Sequence, residues 1–280
     1  MTRCKYQCLM KKVGFYMIEI YHDNFQNYKK YNIKKAQLVI ADIPYNLGVN
    51  AYASNPMWYE GGNNKNGESK KAASTFFNGD GQFNIAEYFH FCNKLLIREP
   101  KEKGKAPAMI VFCAFEQIPT VVEYGKKHGF LHSYPIIFCK NYSAQVLKAN
   151  MKIVGATEYA VVLYRDKLPK FNNGRQYDEN GNLIKGSGKM IFNWFEWKRD
   201  NAKVYPKIHP TQKPTKLFCD LVLTSSNEGD IIFDPFMGSG TSGVACIRTK
   251  RKFIGIELND EYFGIAQKRI SQEQQQLSLF

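Results

Sequence analysis

No stretch of the 280-residue chain holds 18 consecutive apolar residues, so no segment is long enough to cross a bilayer as a helix. The first sixteen residues are broken by Arg3, Lys5, Lys11 and Lys12 and lack the continuous apolar centre of a secretory signal. Cysteine is scarce: of seven, Cys113, Cys139 and Cys246 fall inside apolar runs, the pattern of reduced core thiols in a cytoplasmic protein. Only Cys4 and Cys8 are close together, and without two further ligands nearby they make no zinc site, so no metal is expected. No internal repeat is present. Acid is the other shortage. Against 39 Lys+Arg stand 25 Asp+Glu, a net charge of +14, which points to a polyanionic partner, with nucleic acid favoured over a membrane surface. The hydrophobic share of 44% and charged share of 23% exclude a chain disordered throughout. The length suits one large α/β domain with insertions, or a domain and a half.

What is there alternates. Apolar strand patterns at 17–21, 36–41 and 108–113 are separated by helical patterns at 83–97 and, beyond, 119–127, with a short helical stretch through Tyr31. Two strands, 133–139 and 158–164, follow without a long helix between them and predict an antiparallel pair. From 215 the alternation resumes: helix to 226, strand 231–234, helix 241–249, strand 253–257, helix 260 to about 272. Such alternation implies right-handed crossovers and a doubly wound sheet. Residues 46–82, rich in Asn, Gly, Lys and Ser with aromatic islands, form a loop long enough to be a functional lid or disordered. Residues 165–206 break the pattern with basic residues among aromatics, which suggests a nucleic-acid contact module or a solvated surface with a small aromatic core.

The chemistry-bearing residues collect where strands end. Ile231-Ile232-Phe233-Asp234-Pro235-Phe236-Met237-Gly238-Ser239-Gly240-Thr241 reads as a parallel strand running into a glycine turn and a helix N-terminus, the place where an open α/β sheet binds an anionic group. Downstream, a second apolar strand ends on Glu257, at a spacing that lets a carboxylate receive the hydroxyls of a ribose. Upstream, His209-Pro210-Thr211-Gln212-Lys213-Pro214 places Lys213 to offer a point charge to a carboxylate. Asp23 and Asp42 lie at two further strand ends, the second opening the tetrapeptide Asp42-Ile43-Pro44-Tyr45.

These three motifs resemble those of the S-adenosylmethionine-dependent DNA amino-methyltransferases, and their order, catalytic tetrapeptide early and cofactor loop late, resembles the permuted β class. The resemblance covers roughly residues 18–270. It implies a doubly wound, mostly parallel seven-stranded Rossmann-like sheet with one antiparallel strand and a small target-recognition insert. It divides the chain into a first catalytic part (13–164, including a mobile loop at 46–82), the recognition insert (165–206), a second catalytic part with the cofactor site (207–272) and a flexible tail (273–280). The cofactor set it implies is Asp23, near the adenine; His209, Thr211 and Lys213; Asp234 and Phe236 against the cofactor; the amides of Gly238, Ser239, Gly240 and Thr241 on the methionine carboxylate; and Glu257 on the ribose. The catalytic set is Asp42, Ile43, Pro44 and Tyr45. An exocyclic amine on a nucleobase is a poor nucleophile because its lone pair is delocalised into the ring. The Asp42 carboxylate and the Ile43 carbonyl would accept its two N–H groups and favour a pyramidal nitrogen facing the methyl sulfonium, Asp42 would take the released proton, and Tyr45 would stack on a base flipped from the duplex. Ile43 stands where the family pattern has proline; the carbonyl remains, and Pro44 biases Ile43 to an extended conformation.

An Asp-initiated tetrapeptide favours adenine N6 over cytosine N4 as the acceptor. Two alternatives remain: an amine methylase of RNA or of a protein glutamine, against which Asp42 and the permuted motif order count, and a non-catalytic, clamp-tethered DNA-binding protein with a vestigial cofactor site, against which the intact Asp42, Tyr45, Lys213 and Glu257 count. The resemblance implies double-stranded DNA as the partner, and a monomer or homodimer is expected. The last residues, Gln276-Leu277-Ser278-Leu279-Phe280, resemble the peptide with which bacterial proteins dock on the polymerase sliding clamp; the other reading is a fraying helix end folded back on the domain.

Overall fold

A computed structural model describes residues 17–44, 83–141, 145–148, 153–198, 200 and 212–277. Among these residues, ten strands and five helices run in the order β1 (Ile18–His22), β2 (Leu38–Asp42), α1 (Ile85–Leu95), β3 (Ala108–Cys113), α2 (Ile118–Lys127), β4 (His132–Lys140), β5 (Gln145–Lys148), β6 (Ile153–Gly155), β7 (Thr157–Tyr164), β8 (Trp194–Trp197), α3 (Thr215–Ser225), β9 (Ile231–Asp234), α4 (Thr241–Arg248), β10 (Lys252–Glu257) and α5 (Asp260–Leu277). A 3-10 turn, Phe25–Lys30, follows β1, where the sequence predicts a short helical stretch. Eight strands form one sheet in the order β1-β10-β9-β2-β3-β7-β4-β8, and β5 pairs with β6 in a separate hairpin. Only β7 runs against its neighbours in the large sheet.

The expected seven strands are therefore eight. Trp194–Trp197 adds itself parallel to β4, with Phe195 opposite Phe138 and Trp197 opposite Lys140. The described residues at the start of the 165–206 segment are bonded to the body of the domain. Arg165 donates to the carbonyls of Ile97 and Asn93 (3.0 and 3.2 Å), Lys170 pairs with Asp230 (2.7 Å), and the Asn172 amide reaches the Ser226 carbonyl (2.6 Å). Basic residues that read as a nucleic-acid surface thus begin by strapping the segment to the body of the domain.

Strand side chains alternate between the two faces, which is why near-continuous apolar runs mark strands covered on both sides. Leu38, Ile40, Ile110, Phe112, Ala160 and Val162 pack beneath α3, α4 and α5. Val39, Ala41, Met109, Val111, Val161 and Leu163 pack beneath α1 and α2. The parity decides the site. Asp42 on β2, Asp234 on β9 and Lys140 on β4 each follow by two residues, and Glu158 on antiparallel β7 precedes by two, a side chain of the face that α3 and α4 cover.

Strands β2 and β9 lie side by side and parallel (Leu38 opposite Ile232, Val39 opposite Phe233). The helix after β9 covers one face and the helix after β2 covers the other. Their C-terminal ends therefore flank a topological switch point, where an α/β sheet opens a crevice. The last helix runs through Leu277, five residues into the expected tail. The cause is Glu273, which receives two bonds from the Arg248 guanidinium (2.7 and 2.9 Å) and fastens α5 to α4. No helix among the described residues is long and apolar enough to cross a membrane.

Candidate active site

One half of the crevice is built at the ends of β9 and β10. Asp234 closes β9, fully enclosed, with one carboxylate oxygen accepting from Ser242 Oγ (2.6 Å) and the other from the Phe236 amide (3.0 Å). Burial pushes its carboxyl up to about 7, against the opposing pull of these two bonds, and the nearby charges of Asp42 and Glu257 push the same way. The chain then turns through Gly238 (φ 51°) and Gly240 (φ 75°), both left-handed conformations that disfavour any residue with a Cβ. Gly240 caps α4, and Thr241, buried, is that helix's first residue.

The turn is less open to an anion than the motif suggests. The Gly238 amide donates to Glu257 Oε2 (2.9 Å) and the Gly240 amide to the Met237 carbonyl (2.8 Å), so two of the four expected amides are already engaged. Glu257 also takes the Asn259 amide on its other oxygen (2.8 Å), and burial pushes its carboxyl up despite these bonds. The Leu258 backbone bonds this carboxylate too, which leaves acceptor capacity for one further donor. On the neighbouring strand end, the Asp23 amide bonds to the Glu257 carbonyl (3.1 Å). Its carboxylate is filled by the Asn24 amide, the Asn27 side chain and the Tyr31 hydroxyl (2.7, 2.6 and 2.6 Å), and although burial acts to raise its carboxyl, these bonds and Lys30 hold it below the usual range. Asp23 shapes the loop after β1. Phe236 lies among Phe25, Phe83 and Tyr88, with ring centroids 5.3, 5.7 and 5.8 Å away.

Arg269, which carries no motif, is the residue that sequence reasoning missed here. From α5 its guanidinium donates to the Ser239 carbonyl (2.7 Å), Ser239 Oγ (3.0 Å) and Thr241 Oγ1 (3.1 Å), bracing the turn from beneath. The available signal was its place between Ala266 and Ile270, the buried stripe of an otherwise polar helix.

The other half is the end of β2. Asp42 Oδ2 lies 3.1 Å from the Lys213 ammonium, while Oδ1 is buried with no hydrogen-bond partner among the described residues. Burial raises the Asp42 carboxyl; Lys213 opposes the rise and Glu158 adds to it. Ile43 is buried, its amide bonded to the Phe112 carbonyl (3.2 Å), and the Pro44 carbonyl accepts from Gln117 Nε2 (3.1 Å), which ties the tetrapeptide to the segment after β3. Lys213 carries its charge to the acceptor half of the crevice. Its ammonium reaches Asp42 and Glu158 Oε2 (2.8 Å), and the residue meets the glycine turn through its carbonyl, 3.4 Å from Thr241 Oγ1. The cause is a second acid and a second base, Glu158 and Lys140, which sequence reasoning did not single out although both interrupt apolar strands on the face they share with Asp42. Tyr45, His209, Thr211 and the loop 46–82 lie outside the described residues, as do the last three of the tail.

Comparison with known proteins shows the family and the fold. The profile of the DNA methylase family matches residues 36–268. The DNA adenine methyltransferase YhdJ of Escherichia coli (strain K12) is 26% identical over 274 residues, 90% of this chain and 81% of that protein. A shorter match, 51% identical over 67 residues, is to the Type II methyltransferase M.HpaI of Haemophilus parainfluenzae and spans 24% of this chain and only 21% of that protein. Among solved structures, the M1.HpyAVI–SAM complex superposes with a TM-score of 0.61 at 23% identity, over 91% of this chain and 100% of that one. The PvuII DNA methyltransferase (cytosine-N4-specific) does so with 0.55 at 14%, over 93% and 92%. Both show the fold. With its profile match spanning most of the sequence, the chain belongs to the DNA methylase family, the N6 and N4 amino-methyltransferases.

Proposed function

We propose that the protein transfers a methyl group from S-adenosylmethionine to the exocyclic N6 of adenine in double-stranded DNA. One observation carries the reading: a half-buried Asp42 with one oxygen held by Lys213 and the other enclosed without a partner among the described residues, at the switch point beside the glycine turn.

The residues present fit the donor. Glu257 keeps acceptor capacity at the end of β10, Phe236 offers an aromatic face, and a glycine turn leads into α4. When bound, S-adenosylmethionine supplies an electrophilic methyl group on a sulfonium. Asp42 Oδ1 accepts an N–H of the amine and draws the nitrogen lone pair out of conjugation. Because burial raises its carboxyl, Asp42 also suits the role of acceptor for the proton that the methylated amine releases. The base reaches Asp42 by flipping from the duplex, and Tyr45 stacks on it. Residues 165–206 contribute to target recognition, for which the exposed Tyr177 and the stacked, exposed Phe192 and Trp194 offer contact surface beside Arg175, Lys185 and Lys189.

Adenine is favoured over cytosine N4 by the Asp-initiated tetrapeptide and by the name of the relative matched over 90% of the chain. Incubation with labelled S-adenosylmethionine and unmodified duplex DNA, followed by nucleoside analysis, should yield N6-methyladenine. Label in N4-methylcytosine alone would overturn the choice of base, and no methylated base despite cofactor binding would overturn the activity.

A further inference from the structure

The acceptor carboxylate belongs to a partly buried row of four charges. Lys140 pairs with Glu158, Glu158 Oε2 with Lys213 (2.8 Å), and Lys213 with Asp42 Oδ2 (3.1 Å). Three strands contribute one member each, and Lys213 enters from the start of α3. Two acids and two bases make the set neutral, which is what permits it in a partly buried setting. Aromatic rings shield its bases: the Lys213 ammonium lies 5.2 Å from the Phe112 ring and 5.4 Å from that of Trp197, and Trp197 also covers Lys140 (4.7 Å). Although burial acts to raise the Glu158 carboxyl, its two lysines hold it below the usual range, so it stays ionised. An ammonium with Asp42 as sole counter-ion would settle between both carboxylate oxygens. Here Glu158 draws it to the Oδ2 side, and Oδ1 stays without a partner among the described residues.

We propose that Glu158 is a positioning residue for methyl transfer: it holds Lys213 against one oxygen of Asp42 so that the other stays open to the amine, while Lys140 balances its charge. The inference rests on the reading of Asp42 as the amine acceptor. The charged and titratable groups facing Asp42 are Lys213 ahead of α3, Glu158 on β7, Lys140 on β4, Cys113 on β3 and Asp234 on β9. Of these, Glu158 is the acid within reach of Lys213.

The test compares Glu158→Gln and Glu158→Asp with wild type in the full-length protein. Glu158→Gln should lower kcat about tenfold to a hundredfold, leave the Kd for S-adenosylmethionine within about twofold, and move the acid limb of the kcat profile to lower pH. Glu158→Asp should recover about half or more of that loss on a logarithmic scale. Independently of turnover, the Asp42 carboxyl followed by carbon NMR in cofactor-free protein should titrate at lower pH in Glu158→Gln, because a neighbouring negative charge is gone. Should Glu158→Gln fail to fold, Glu158→Gln/Lys140→Met keeps the set neutral and carries the same comparison. Unchanged kcat, a proportional loss of cofactor binding, or an Asp42 titration that stays or rises would overturn the role of Glu158. A wild-type protein that methylates no base would instead overturn the proposed function, whatever the Asp42 titration does.

Discussion

Replacing Gly240 with alanine should cost far more than the same change at another left-handed glycine. A Cβ at Gly240 would lie 2.9 Å from the Ala266 Cβ, 3.0 Å from its Cα and 3.3 Å from Ile270 Cδ1. Ala266 is fully buried on α5, so the obstacle is backbone packed on the turn. The left-handed backbone at φ 75° costs about 1–2 kcal/mol for any L residue. Overpacking adds about 1–3 kcal/mol, for a total of about 2–5 kcal/mol. Gly129, which ends α2 at φ 87° with nothing within 4 Å of its would-be Cβ, supplies the control: Gly129→Ala carries only the backbone cost of about 1–2 kcal/mol. Urea unfolding of both variants gives the comparison, and calorimetric titration with S-adenosylmethionine gives its consequence. Gly240→Ala should weaken cofactor binding by displacing the turn, while Gly129→Ala should leave it unchanged. Equal destabilisation by the two would refute the close approach of α5 to the turn.

Arg269→Leu leaves the Ser239 carbonyl without its guanidinium; it should cost about 1–3 kcal/mol of stability and raise the Kd for S-adenosylmethionine, and an unchanged Kd would remove Arg269 from the shaping of the turn. Asp234, raised from 3.8 to about 7 by burial, binds its proton more tightly folded than unfolded. The stability it contributes is therefore full below pH ~4 and lost as pH rises through about 7, a change on the order of 4 kcal/mol. Urea midpoints across that range should fall in wild type and flatten in Asp234→Asn; parallel curves would contradict the assignment. The docking reading of residues 276–280 expects that their deletion abolishes binding to a bacterial sliding clamp in surface plasmon resonance; retained binding, or no binding by the full chain, would overturn it.

Much of the site was legible because its residues stand where periodicity stops. Asp42, Asp234 and Glu257 each end an apolar strand, and a parallel sheet brings such ends to one edge whatever the order of the strands in the chain. The eighth strand was hidden because Trp194–Trp197 is only four residues long and follows a stretch of turns, so its pairing with β4 is a tertiary choice with little local signal. Lys213 shows a different limit. A motif places the residue but not its ammonium, which goes where the nearest acids are, and Glu158 comes from a strand 55 residues earlier. Arg269 and Glu273 were equally silent: each is one polar residue on a helix, and only the packing of α5 against the turn and α4 gives it a partner.

The central claim is that Asp42 accepts the amine while the glycine turn and Glu257 hold the donor, two tasks on adjacent strand ends. The direct measurement is methyl transfer to duplex DNA and S-adenosylmethionine affinity, taken on one preparation each of wild type and Asp42→Ala. The account predicts that transfer falls by more than about a hundredfold while the Kd for the cofactor stays within about twofold. Transfer that survives the substitution, or is lost only in step with cofactor binding, would contradict it.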